Sequence, residues 1–170
     1  VFDAEGVPRR RVELVDGGRA VGLLHDRRTA AAAGAASSGH SSGRDAWGPA
    51  PAALFVAPDP GGPADAAGLA ERVERGLLVT TFNYCRVLDP KTLVVTGLTR
   101  NGVFLIENGR VGPPVSNLRF TQSFLEALGP GRVGGVASAA RLADEEFGVG
   151  LVTAPAMHLR RWRFTGGAAG

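Results

Sequence analysis

Val12 and Leu14 precede Asp16-Gly17-Gly18, Val21 and Leu23 follow it, and a polar or small residue separates the members of each pair. This period of two predicts strands over residues 11–15 and 19–25, joined by a glycine turn. Residues 30–51 carry Ala, Gly, Ser and Pro with no periodicity, around Gly39-His40-Ser41-Ser42-Gly43-Arg44. They read as a long flexible loop, the kind of segment that often borders a functional site. A short strand is expected over 53–57. A helix is expected from about 64 to 75: Pro63 suits a first turn, Leu69 and Val73 share a face, and Gly76 is a natural stop.

Residues 77–109 carry the strongest pattern. Short apolar runs are separated by Asn101-Gly102 and Asn108-Gly109, and Asn-Gly is the pair that two-residue hairpin turns favour. A hairpin over 93–106 turning at Asn101-Gly102 is the expectation. Ser123 and Glu126 have capping-box spacing, so a short helix begins there and Gly129-Pro130 ends it. Residues 131–147 alternate small and apolar side chains without fixing an element. Residues 148–164 read as a closing strand region interrupted at Pro155, and 166–170 as a flexible tail. Helices do not alternate regularly with strands, which argues against a doubly wound parallel sheet. The expected class is α+β: a single domain over 1–170, mostly antiparallel β-sheet built from hairpins, with two short helices.

Composition changes this picture little. A chain of 170 residues can bury one core. It contains no charged-then-apolar leader and no long apolar run, so no secretory signal or membrane span is expected in it. Its one cysteine, Cys85, cannot form an internal disulfide, which fits a reducing cytoplasm. Only Lys91 of the 19 basic residues is lysine, and the net charge is +3. Arg9-Arg10-Arg11 and Arg160-Arg161-Trp162-Arg163 read first as charged strand edges and second as phosphate-binding patches.

The residues assemble no complete catalytic motif. His25, His40 and His158 include no pair four apart, and no His-Glu-x-x-His or His-Glu-x-x-x-His occurs. Such a helical pair is how zinc peptidases hold metal and base together. Gly-x-Ser-x-Gly and Gly-x-x-x-x-Gly-Lys are absent as well. Strand alternation puts Cys85 on the face opposite Tyr84 and Arg86, so it reads as a buried apolar residue rather than a nucleophile.

The wording of several segments goes further. Phe2-Asp3-Ala4-Glu5-Gly6-Val7-Pro8, Leu24-His25-Asp26-Arg27-Arg28-Thr29-Ala30 and Gly39-His40 come in this order. Tyr84-x-Arg86, Thr99-Arg100-Asn101-Gly102-Val103, Glu107-Asn108-Gly109 and Leu118-Arg119-Phe120-Thr121-x-Ser123 follow. Together they resemble the C-terminal domain of the TldD/PmbA family, metallopeptidases also known as modulators of DNA gyrase. The resemblance implies a two-domain peptidase. An upstream domain would carry a zinc-binding His-Glu-x-x-x-His helix, and the β-rich C-terminal domain would help close the site. This chain begins after the place of that helix and so resembles the C-terminal domain alone. The family's third metal ligand is a Cys near the C-terminus; here the region reads Ala143-Asp144-Glu145-Glu146-Phe147. No catalytic residue and no metal ligand is therefore carried over, and whether this chain is part of an active enzyme stays open. No cofactor is expected in the chain itself, and zinc is expected in full-length family members.

Three readings follow. In the first, the chain is the substrate-groove and assembly domain of a peptidase acting on peptides or unfolded protein segments. Its groove candidates are His40, Arg44, Tyr84, Arg86 and Arg100. In the second it is a non-catalytic partner-binding subunit of the PmbA type. The expected partners are the upstream domain, a second family member in a homo- or heterodimer, and peptide. The third is a nucleic-acid-binding domain, suggested by the Arg clusters and the older family name. No basic-aromatic motif supports it, and neither nucleic acid nor membrane is an expected partner.

Overall fold

The structure, a computed structural model, describes residues 1–44, 46, 48–143 and 150–167. It divides into two units, one of Val1–Leu54 with Phe147–Val152 and one of Phe55–Glu146 with Thr153–Gly170. Among the described residues the secondary structure is mostly antiparallel sheet with three short helices, so the expected α+β class holds. No helix among them is long and apolar enough to cross a membrane.

The first unit is held largely by polar groups. Strands β1 (Val15–Asp16) and β2 (Arg19–Ala20) pair antiparallel across Gly17-Gly18, whose φ angles of 53° and 79° fit a two-residue hairpin turn. The expected strands are much longer than these. One further bond, from Val21 N–H to Leu14 O at 2.9 Å, extends the ladder. Val15, Val21 and Leu23 remain exposed, so the alternation here has no partner face among the described residues to bury against.

Helix α1 (Arg27–Ala33) occupies the start of the segment read as loop. Asp26 caps it: its Oδ1 accepts the Thr29 N–H at 2.7 Å, while the Thr29 hydroxyl accepts the Asp26 N–H at 3.1 Å. Gly34 at φ 63° closes the other end. Several described residues further along this segment are pinned as well. Ser38, His40 and Ser41 are buried, and Ser41 bridges to Pro49. The Asp3 carboxylate accepts three backbone N–H groups, from Glu5 at 3.0 Å, Val7 at 2.9 Å and Ser41 at 2.8 Å. Burial acts to raise the Asp3 carboxyl, but these three donors and the nearby Arg9 charge outweigh it and hold it below the ordinary range. Asp26 is lowered too, first by the Thr29 backbone N–H and then by its hydroxyl.

The second unit is a five-stranded antiparallel sheet together with most of a three-stranded one. Short helix α2 (Ala66–Ala70), capped by the Asp65 side chain, leads into strand β4 (Arg75–Asp89). The expected helix over 64–75 ends early, because the chain tightens through Arg72 and Val73 and then extends. Gly76 is a strand residue, not a helix stop. Strand β5 (Val94–Glu107) runs antiparallel to β4 after a turn in which Asp89 accepts the Lys91 N–H and the Thr92 hydroxyl.

No hairpin turns at Asn101-Gly102. Both residues have positive φ, 61° and 134°, but they form a bulge inside continuous β5: Val79 pairs Val103 and Thr81 pairs Arg100. A bulge and a turn both need positive φ, so the dipeptide alone does not separate them. Asn108-Gly109 does turn as expected, into β6 (Arg110–Pro114).

Strand β7 (Leu118–Ser123) pairs with the first half of β5, and helix α3 (Phe124–Ala127) follows with Ser123 as its cap. Strand β8 (Val133–Leu142) pairs with β9 (Leu151–Leu159), which continues through Pro155 rather than breaking there. Pro155 sits beside a register shift, where a strand tolerates a missing N–H. Strand β10 (Phe164–Gly167) pairs with β7, so Gly166 and Gly167 are not part of a loose tail. Residues 168–170 of that expected tail lie outside the described residues. The sheets run β10-β7-β5-β4, with β6 also on β5, and β3 (Ala53–Phe55)-β9-β8. The core of this unit is centred on β5 and β7, where Val103, Ile106 and Phe120 are buried.

Candidate functional site

The five residues singled out from sequence fall into two groups. His40 and Arg44 belong to the first unit and Tyr84, Arg86 and Arg100 to the second. His40, in the segment read as a flexible loop, is only 8% exposed. Its Nδ1 stands 2.9 Å from Ser38 O and 3.0 Å from Ser38 Oγ. That hydroxyl accepts the His25 N–H at 2.8 Å and lies 3.0 Å from His25 O. The histidine fixes the loop on which it stands. The sequence hid this because the burial depends on Ser38 and on Asp3, which accepts from Ser41. Arg44 is exposed near the loop's tip. His25, placed by sequence at a strand end, directly precedes the cap of α1, and its ring lies 3.4 Å from the Thr29 hydroxyl.

Tyr84, Arg86 and Arg100 gather around a second irregularity in β4. Tyr84 has φ 56° where the register shifts between Asn83 and Arg86. The Arg86 guanidinium carbon lies 5.4 Å from the centre of the Tyr84 ring. Arg100 Nη1 donates to Asn83 Oδ1 at 3.2 Å. Cys85 is half-buried on the opposite side, as alternation predicts. A Cβ built on Gly97 would lie 3.0 Å from its Sγ and 2.7 Å from the Phe120 ring.

None of these five residues lines a wide groove in the second unit. That groove has a volume of about 1490 Å³ and runs between α2, β4, α3, the β8–β9 pair and the segment leading into β10. An aromatic cluster lies under it. Trp162 stacks on Phe82 with ring centres 5.1 Å apart, and it packs at 5.2 Å from Phe120 and 5.5 Å from Phe124. Its indole N–H is buried with no acceptor among the described residues. The walls are basic: Arg75, Arg132, Arg141, Arg160, Arg161 and Arg163 line the groove against the carboxylates of Asp65 and Glu126. His158 also lines it, packed so closely on Gly134 that a Cβ there would fall 2.5 Å from its Nδ1. One side is the first part of β4, the last strand of its sheet, whose outer edge pairs with no described strand. Arg160-Arg161-Trp162-Arg163 was the one signal of this groove visible in the sequence. Its other walls come from segments far apart along the chain.

Ser123 Oγ is occupied in donating to Thr92 O and capping α3. Among the described residues no group of three His, Cys, Asp or Glu side chains is placed to hold a metal ion. Of the region compared above with the family's cysteine ligand, residues 144–147 lie outside the described residues. The side chains described do not fit a zinc ion, and no step through zinc is derived from them.

Comparison with known proteins gives a consistent result. Residues 1–166 match the family model described as the PmbA/TldA metallopeptidase C-terminal domain. TldE from Thermococcus kodakarensis is similar in structure, with a TM-score of 0.77 at 20% identity over 97% of this chain and 36% of that one. A putative modulator of DNA gyrase from Thermotoga maritima gives 0.74 at 20% identity over 96% and 35%. Another from Bacteroides thetaiotaomicron gives 0.70 at 22% identity over 97% and 32%. The chain thus spans about a third of the length of each of these structures. No curated protein matches it.

Proposed function

The chain belongs to the PmbA/TldA metallopeptidase C-terminal domain family, and from that membership we propose that it is the substrate-groove domain of a peptidase, holding extended peptide for a catalytic centre formed elsewhere. One observation carries this reading: the first part of β4 lines the groove and leaves its outer backbone edge unpaired among the described residues. An extended peptide can add to such an edge through main-chain hydrogen bonds, while pockets beside it take alternate side chains. The aromatic base gives a peptide side chain apolar surface to lie against, and the groove is large enough for several residues. The described side chains supply recognition and no hydrolytic step.

Titration of the isotopically labelled chain with a short peptide of alternating Gln and Val tests the proposal. Amide shifts and slowed exchange concentrated over residues 75–80 are expected. Perturbation confined to the first unit, or none at saturating peptide, refutes it.

A second reading, a partner-binding assembly domain, is favoured by the exposed apolar residues Val15, Val21 and Leu23 at the β1–β2 hairpin. Clustered exposed apolar surface of this kind marks interfaces. Sedimentation across a concentration series checks it: a monodisperse monomer throughout removes self-association as the role of that surface.

A further inference from the structure

We infer that the groove selects extended peptides rich in Asp and Glu. The inference rests on the substrate-groove reading and adds the class of peptide to it.

The charge of the groove is lopsided, with six arginines against two carboxylates. No hydrogen bond or ion pair joins any of the six guanidinium groups to a described residue; Arg163 is engaged only through its backbone N–H, which donates to Gln122 Oε1 at 3.0 Å. Five of the six arginines are solvent-exposed, and like charges gathered around one groove create a positive potential that raises the local concentration of anions and that salt screens. A planar guanidinium also matches a carboxylate in a two-point fork.

The spread of the charges favours a chain of carboxylates over a single anion. Arg132 immediately precedes β8 and Arg141 lies near its far end. At ~3.3 Å per strand residue these positions stand on the order of 25 Å apart once the register shift is allowed for. The Arg160 N–H donates to Arg132 O at 2.8 Å, so these two arginines share one end of the groove. A free phosphate could engage one end only; an extended peptide with alternate acidic side chains reaches both.

Single-stranded nucleic acid also carries spaced negative charge, but grooves that hold it add exposed ring faces on which bases stack. The one tryptophan lining the groove is stacked on Phe82 at 18° and flanked by Phe120 and Phe124. The open backbone edge of β4 suits a peptide main chain and offers nothing specific to a sugar-phosphate chain.

The test uses the full 170-residue chain and four fluorescent probes. These are a peptide of alternating Glu and Val, its Gln and Lys counterparts, and a single-stranded oligonucleotide. The Glu peptide is expected to bind several-fold more tightly than the Gln peptide, with the advantage shrinking as salt rises, and the Lys peptide to bind most weakly. Arg160→Gln and Arg161→Gln are each expected to weaken the Glu peptide by about two- to fivefold. The Gln peptide should weaken less than the Glu peptide in both variants, and unchanged thermal melts report an intact fold. Equal affinity for the Glu and Gln peptides overturns the acidic preference and leaves the groove reading standing. Loss of both peptides in the arginine variants counts against a charge-specific role. Tighter binding of the oligonucleotide, abolished by the same variants, replaces the inference with nucleic-acid binding. No binding of any peptide overturns the groove reading itself.

Discussion

Gly97→Ala should destabilise the second unit measurably although it adds a single methyl group. Gly97 is buried in β5 directly opposite Phe120 on β7. The Phe120 ring, 0% exposed, fills the space a side chain would take. A Cβ at position 97 would meet two ring carbons at 2.7 Å and Cys85 Sγ at 3.0 Å, closer than real Cβ contacts come. Neither neighbour is a loose chain end. The ring is fixed by Phe82 at 4.8 Å and Trp162 at 5.2 Å, so moving it disturbs the whole cluster under the groove. Overpacking of this kind costs roughly 1–3 kcal/mol. Loss of glycine's unfolded-state freedom returns about 0.5–1 kcal/mol, and the middle of the two ranges leaves a net loss of about 1 kcal/mol. With a urea dependence of about 1–3 kcal/mol per M for a small protein, the unfolding midpoint should fall by roughly 0.3–1 M. Gly167→Ala is the matched control: it too lies in a strand, and nothing stands within 4 Å of its added Cβ. In a Phe120→Leu background the Gly97→Ala cost should shrink, because the clashing ring is gone. A midpoint unchanged by Gly97→Ala, or an equal cost in both backgrounds, refutes the claim that the ring occupies the glycine's side-chain space.

Three further outcomes are expected. Gly102→Val should cost on the order of 1–3 kcal/mol in a urea melt, because position 102 has φ 134° and its Cβ would meet the Phe104 ring at 2.8 Å; an unchanged melt shows the bulge to be dispensable. Asp3 and Asp26 are both held below the ordinary carboxylate value of 3.8, so the stability they contribute is full above it and is lost as pH falls through their lower folded values. Thermal melts should therefore drop steeply in acid for the native chain and less so for Asp3→Asn, and parallel curves for the two would sink this account. The isolated chain, after dialysis, should retain well under one equivalent of zinc by elemental analysis, and stoichiometric zinc would show a ligand set that the described side chains do not provide.

The sequence revealed what depends on neighbours along the chain and concealed what depends on neighbours in space. Asn108-Gly109 and Gly17-Gly18 turn as read, because the required positive φ is a property of those residues themselves. Asn101-Gly102 has the same property, but β5 continues past it along β4, with Arg100 and Val103 paired on either side of it, so positive φ becomes a bulge. Helix α1 was written in the chain as Asp26-x-x-Thr29, yet Leu24 and His25 before it made the segment look like a strand end. His40 looked mobile because its surroundings are glycine and serine; the carboxylate that pins the adjoining Ser41 lies 38 residues earlier. The groove could not be read as a motif, since its arginines are spread from Arg75 to Arg163.

The register shifts of β4 bear on a hazard carried by every exposed strand edge, uncontrolled recruitment of further copies into a growing fibril. β4 pairs with β5 without a shift only over residues 75–79, 81–83 and 86–87, and each interruption adds local twist. A flat edge of this length would template stacked, in-register chains. An edge bent at three places offers an incoming strand one straight stretch of five residues and then turns away. That is enough to dock a short segment and too little to propagate a cross-β ladder. Straightening the edge, by removing the extra residues around Tyr84 and Leu88, would therefore be expected to shorten the lag before aggregation.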